Sequence, residues 1–100
     1  MEARVSTYTG TSARFEELLE GMDRIAVARE LEQLAGFQGV DVLVDHSARK
    51  VLTITYWDSA ESAQASAGPA NAIRAQLAHE SGQIIQSVET YEVWLRLGKA

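Results

Sequence analysis

Few residues of this chain combine chemical reach with a usable spacing. Asn71 and Arg74 stand three apart, which on a helix puts them on one face. An arginine so placed can hold a phenolate or carboxylate through charge-assisted hydrogen bonds. The alternative is a solvated helix face. Tyr8 closes a β-prone stretch and could offer a phenolic hydrogen bond to a ligand. Trp57 falls where a strand runs into a helix start, a place where clefts open; the alternative is core filling, which large aromatics do by default. His79 sits near a helix end, where its cationic form suits the dipole, or it could act as a base. His46, beside Asp45 in a polar loop, reads as solvent-exposed.

The rest of the chemistry is bounded by what is missing. Without cysteine there is no disulfide, thiolate nucleophile or zinc ribbon. Two distant histidines and dispersed carboxylates make no metal-ligand cluster, and no nucleophile elbow, HExxH or Gly-rich phosphate loop occurs. Nine basic against 14 acidic residues give a net charge of −5, with Arg49-Lys50 the sole adjacent basic pair, which argues against nucleic-acid binding. The N-terminal MEARVSTYTG has no apolar h-region and no run approaches a membrane span, so a cytoplasmic chain with no membrane partner is expected. One hundred residues, 46% apolar, suit a single domain over 1–100.

These side chains need elements to position them. Residues 3–9, ARVSTYT, read as a strand closed by Gly10. Thr11 or Ser12 then suits an N-cap. Phe15, Leu18, Leu19, Met22, Ile25, Ala26, Leu31 and Leu34 recur at helical steps, with a bend or break expected between 20 and 24 around Gly21. Gly36 stands where a C-terminal cap is expected. Val40, Val42 and Val44 alternate with Asp41, Leu43 and Asp45 as a strand. His46 to Arg49 makes the loop, and Val51 to Trp57 the returning strand of a hairpin. Asp58 with Glu61 reads as a capping box. The helix it starts is Ala-rich, with Ala60, Ala63, Ala67, Ile73 and Leu77 as inward candidates. Gly68-Pro69 should divide it into segments near 59–67 and 69–80. Residues 84–96 read as a last long strand.

The order β-α-β-β-α-β is the split arrangement of ferredoxin-like α+β folds, a four-stranded antiparallel sheet with two helices on one face. Both phases of the third strand are apolar, Val51 and Trp57 in one, Leu52, Ile54 and Tyr56 in the other. In the last strand Tyr91, Val93 and Leu95 oppose Val88 and Trp94. Adjacent strand residues face opposite ways, so only one of Tyr56 and Trp57 can meet the helices. An exposed face that apolar is rare in a monomer, and a second copy of the same sheet is the simplest cover. A homodimer through the sheet face is expected, with Trp94 at the interface.

Two short signatures carry a resemblance. "LAGFQGV" (34–40) resembles a Leu-x-Gly-Phe-x-Gly link from first helix to second strand, and "YWDSAES" (56–62) an aromatic-Trp strand end followed by Ser and Glu. With the element order, the chain resembles antibiotic-biosynthesis-monooxygenase-like proteins, a family of dimeric α/β barrels. The resemblance implies a ligand pocket between helices and sheet in each subunit. It also implies either a cofactor-independent monooxygenase of aromatic or polycyclic substrates, with no cofactor expected, or a non-catalytic dimer. Trp57, Asn71 and Arg74, with Tyr8 or His79, are then the substrate-binding candidates, and no catalytic residue is assigned. The heme-degrading branch of the family implies an Asn on the first strand, a Trp at position 66 and a His near position 76. The sequence departs at all three, with no Asn in ARVSTYT, Ser66 and Gln76, although His79 lies three residues on.

Overall fold

The computed structural model describes residues 1–11 and 13–98. Strand β1 (Glu2–Gly10) is followed by helices α1 (Phe15–Glu20) and α2 (Arg24–Glu32). The hairpin β2 (Phe37–Asp45) and β3 (Lys50–Trp57) comes next, then α3 (Ala60–Ala65), α4 (Ala67–Glu80) and β4 (Gln83–Glu92). The sheet runs β2-β3-β1-β4 with every neighbouring pair antiparallel, and the helices lie on one face, as the ferredoxin-like order predicts. Register fixes which residues share that face. Ser6 pairs with Thr53 and Tyr8 with Val51, while Val40, Val42 and Val44 pair with Thr55, Thr53 and Val51. Tyr8, Phe15, Val51 and Ala78 form the core cluster, joined by Leu19, Val44 and Ile85.

The helical breaks have local causes. The first helix stops at Gly21 and restarts at Asp23, whose carboxylate accepts from the Ala26 amide at 3.0 Å. This is an N-cap that satisfies one of the free first-turn amides. The expected Thr11 cap is not formed. Its hydroxyl donates to Gly82 O at 3.1 Å, tying the end of β1 to the start of β4, and Ser12 lies outside the described residues. The cap of α3 is Ser59, which accepts from the Ser62 amide, so the box expected at Asp58 and Glu61 is displaced by one residue and Ala60 ends up exposed. The second division falls at Ser66, two residues before the Gly-Pro pair. Pro69 therefore occupies the first turn of α4, where its missing N–H costs no hydrogen bond.

Gly36 takes φ +82°, and a Cβ there would overlap the Ser62 side chain, so only glycine fits without strain. The Asp58 amide donates to Gly36 O at 2.8 Å, which pins the α2–β2 link to the start of α3. Phe37 follows and sets its ring edge-on to Trp57, centroids 5.8 Å apart. Trp57 thus belongs to the helix-covered face and is fully buried, while Tyr56 lies on the outer face, its hydroxyl donating to Asp41 at 3.0 Å. The last strand is shorter than expected. Its pairing ends with the Val93 amide on Met1 O, and beyond it Trp94 is 87% exposed and Leu97 85%.

Candidate functional site

A cavity of about 480 Å³ lies between the helices and the sheet. Its floor comes from β1, β2 and β3, whose inward residues there are, apart from Tyr8, small or β-branched, among them Ser6, Thr53, Thr55, Val40, Val42 and Val51. The roof comes from α1, α2 and α4, with Leu19, Val27, Leu31, Ile73 and Leu77. The void is the consequence of short floor side chains under a roof held off by its own length. Alternation along each strand directs one phase into it.

The candidates named from sequence do not all gather here. Tyr8 lines the cavity, 4% exposed, its hydroxyl 3.5 Å from Thr53 Oγ1. Arg74 lines it as well and is 8% exposed. Its Nε donates to Ser6 Oγ at 2.9 Å and its Nη1 to Asn71 Oδ1. Asn71 is exposed and holds the guanidinium without lining the cavity, so the predicted pair does share a face, one member acting through the other. Trp57 is outside the lining. Its Nε1 donates to Thr55 Oγ1 at 3.1 Å, and its ring packs under a guanidinium. His79 is exposed on the last turn of α4, also outside the lining. His46 is exposed, as expected, and also borders the cavity mouth, where Nδ1 lies 2.9 Å from the Glu16 carboxylate and ties α1 to the β2–β3 loop.

Two features of the interior escaped the sequence. Arg4 points inward from β1, 6% exposed, donating Nη2 to Ala63 O with its guanidinium carbon 5.3 Å from the Trp57 ring centre. Its Nη1 is buried without a hydrogen-bond partner. Desolvation, then the like charge of Arg74, holds the Arg4 guanidinium below its usual pKa. Neither arginine meets a carboxylate among the described residues. Gln83, on β4, borders the far end of the cavity, and its Oε1 is also buried without a partner. The signal for Arg4 was its phase: it alternates in step with Ser6 and Tyr8, opposite to Val5 and Thr7.

What this arrangement can do is hold an apolar body against Val and Leu side chains, with a cation, Arg74, at one place to fix an acidic group. No group of three or more His, Cys, Asp or Glu that could hold a metal occurs among the described residues. No described helix is long and apolar enough to cross a membrane.

No protein-family model matches the chain, and no curated protein matches it. Solved structures do. A candidate antibiotic biosynthesis monooxygenase from Deinococcus radiodurans aligns at 19% identity and TM-score 0.66, covering 100% of this chain and 99% of that one. SnoaB, a cofactor-independent oxygenase from Streptomyces nogalater, aligns at 16% identity and TM-score 0.61, covering 98% and 97%. MhuD, a heme-degrader from Mycobacterium tuberculosis solved with two hemes in its active site, aligns at 22% identity and TM-score 0.62, covering 98% and 100%. A heme does not fit the residues present here. His79 faces away from the cavity, and His46 at the mouth is engaged by Glu16. The chain has the fold of the antibiotic-biosynthesis-monooxygenase-like proteins.

Proposed function

We propose that this chain is a homodimeric small-molecule-binding protein that acts in the cytoplasm as one domain. It takes an aromatic or polycyclic ligand with an acidic group into the cavity and oxidises it with molecular oxygen, without a cofactor. One observation carries the reading: the cavity is lined mainly by apolar side chains and hydroxyls, with Gln83 and the exposed Glu20, Arg24 and His46 also bordering it, and its buried guanidinium, Arg74, has no carboxylate partner among the described residues. A buried cation left uncompensated costs several kcal/mol after relaxation, and a ligand phenolate or carboxylate would remove that cost. Tyr8 would add a hydrogen bond near the middle of the floor, and Asn71 would keep the guanidinium turned inward. Trp57 would serve the site by closing its end.

The chemistry needs little from the protein. A phenolate is electron-rich enough to pass electrons to oxygen; combination at a ring carbon gives a hydroperoxide, and loss of water leaves a carbonyl. One oxygen atom enters the product and the other leaves as water, so no outside reductant is needed. The cavity binds, orients and excludes water. A likeness to a cofactor-independent oxygenase supports this reading at the level of fold.

The dimer is supported by the outer sheet face. Leu43 and Ile84 are each 52% exposed there and Tyr91 50%, beside the half-buried Leu52, Ile54 and Tyr56. Light scattering at micromolar concentration should give twice the monomer mass; a monomer would remove this part.

A second reading, a binding protein without catalysis, is favoured by a separate observation. Neither a buried carboxylate nor a buried imidazole lines the cavity among the described residues, so no interior base is at hand. Oxygen uptake with a panel of phenolic polycycles separates the two. Uptake with a carbonyl product, lost in Arg74→Met, supports the oxygenase. Tight binding with no uptake leaves the binding protein.

A further inference from the structure

Gln83 carries a side-chain oxygen with no hydrogen-bond partner among the described residues. Its Nε2 donates to Ser81 Oγ at 2.8 Å, and Ser81 Oγ donates to Leu77 O at 2.5 Å. A hydroxyl has one hydrogen. Because Ser81 gives it to the α4 carbonyl, Ser81 must accept from Gln83, which fixes the amide with its NH2 toward Ser81. Turning the amide over would set two acceptors against each other. Gln83 Oε1 is therefore the atom that points elsewhere, and it is buried with no donor. Such an orphaned acceptor is destabilising until a donor reaches it. Gln83 borders the cavity, and a rotation of its side chain that keeps Nε2 on Ser81 would present Oε1 to whatever the cavity holds.

The position relative to Arg74 gives a length. Arg74 bonds Ser6, and Gln83 pairs with Gly10, four residues further along the same strand. Four strand residues span about 13 Å. Along α4, the seven residues from Arg74 to Ser81, the partner of Gln83, span about 10 Å. By both routes the cation and the orphaned acceptor lie about 10–13 Å apart along the cavity, with Tyr8, Val51 and Leu77 between them. A hydrogen bond at each end takes about 2.8 Å, leaving a body about two fused rings long.

We propose that Gln83 is the second polar anchor of this cavity, accepting a hydrogen bond from an O–H or N–H group of the ligand, so that the ligand is a flat apolar acid with a donor at the end far from its acidic group. This rests on the reading of the cavity as a site for an apolar acid, and it adds the polarity of the other end. The arrangement selects against analogues that lack the donor, because they leave Oε1 orphaned, and against those that carry a second acceptor there.

Titration of the full chain with three probes tests it: naphthoate, the naphthoate with a hydroxyl on the ring remote from the carboxylate, and the same compound with that hydroxyl methylated. The hydroxyl compound should bind about fivefold to tenfold more tightly than plain naphthoate, the gain expected of one hydrogen bond to a waiting acceptor. The methoxy compound should show no gain. In Gln83→Met the hydroxyl advantage should vanish, so that the hydroxyl compound and plain naphthoate bind alike, and the empty variant should melt no lower than the parent, since the orphaned acceptor is gone. A hydroxyl that brings no gain in the parent, or a gain that survives Gln83→Met, overturns the assignment of Gln83. The comparison within the parent needs no variant to fold. Failure of all three probes to bind the parent has a different meaning: it overturns the apolar-acid reading, and this inference with it.

Discussion

The two halves of the helical layer treat the same sheet differently. Over β1, α3 presents Ala63 and α4 presents Ala78, both buried and outside the cavity lining. Alanine removes the side-chain spacer, so the backbone of the helix comes down onto the sheet. Trp57 fills what remains with nothing exposed. Over β2, α1 and α2 present Leu19, Val27 and Leu31 to a floor of valines and threonines, and the cavity lies between. Val42, on that floor, is 56% exposed. The difference shows how a small domain can keep a void without losing its fold. One half is packed to the density of a protein interior, and the other is left loose where a ligand can complete it.

Substitutions at matched places should break this contrast if it is false. Trp57→Ala should cost about 3–5 kcal/mol, a large share of the 5–15 kcal/mol typical of a domain. It also strips the ring from beneath Arg4. Val42→Ala on the loose half should cost under about 1 kcal/mol. Urea midpoints with unchanged slopes read both. Equal losses would mean that the two halves are packed alike.

Additions should show the reverse asymmetry, at smaller size. Ala63→Leu pushes a branched side chain between α3 and the sheet and should destabilise by about 1–3 kcal/mol. Val42→Phe adds more volume, but into the cavity, and should change stability by no more than about 0.5 kcal/mol. The price appears in binding: Val42→Phe should weaken naphthoate tenfold or more, and Ala63→Leu, judged on its folded fraction, should not. A Val42→Phe protein that unfolds easily, or binds as before, would show that the cavity is closed in solution.

Arg4 tests the packed half from within. Its guanidinium has one carbonyl partner and one ring, with an orphaned Nη1 and the like charge of Arg74 nearby. A cation–π contact supplies about 0.5–2 kcal/mol, less than the several kcal/mol that desolvating a cation costs. Arg4→Met keeps the stem's packing and discards the charge, so it should raise stability by about 1 kcal/mol. A fall in the urea midpoint would mean that the ring and the carbonyl outweigh the desolvation.

Much of the fold was legible because two periodicities, near two and near 3.6, alternate cleanly along the chain, and Gly36 with Phe37 marks the turn between them. The split of Tyr56 from Trp57 was legible too, since neighbours on a strand must diverge. Which ring turned inward was not, because it depends on Phe37 meeting Trp57 across the hairpin. Pairing stops where β1 begins, so residues 93–96 read as strand in isolation yet form none. Within the site, Tyr8 and Arg74 could be named by type. A cavity could not, because a void is a difference between side-chain lengths on elements far apart in sequence. Arg4 was passed over since a single arginine in a strand reads as surface. Gln83 was missed because its orphaned oxygen is fixed by where the hydrogen of Ser81 goes.

The smallest effect belongs to the loop at the mouth of the loose half. Asp45 accepts from the Ala48 amide at 3.1 Å and from the Ser47 hydroxyl at 2.9 Å. These bonds, with a smaller contribution from the Lys50 charge, hold its carboxyl below the usual aspartate range. A carboxylate whose pKa is depressed by folding stabilises the fold above its unfolded value, and the contribution is lost as pH falls through the folded value. The loop should therefore keep its bonds at neutral pH and release them only in acid, below the ordinary aspartate value of about 3.8. His46, next in the chain, carries the contact to Glu16 across the cavity mouth, so release should be visible there as well. In an NMR titration the Ala48 amide of the parent should move with a midpoint below that value, and Asp45→Asn should flatten the curve. A midpoint at or above it would mean that the carboxylate caps nothing in solution. Helix α3, whose cap is the Ser59 hydroxyl and not a carboxylate, should keep its amide positions through the same range.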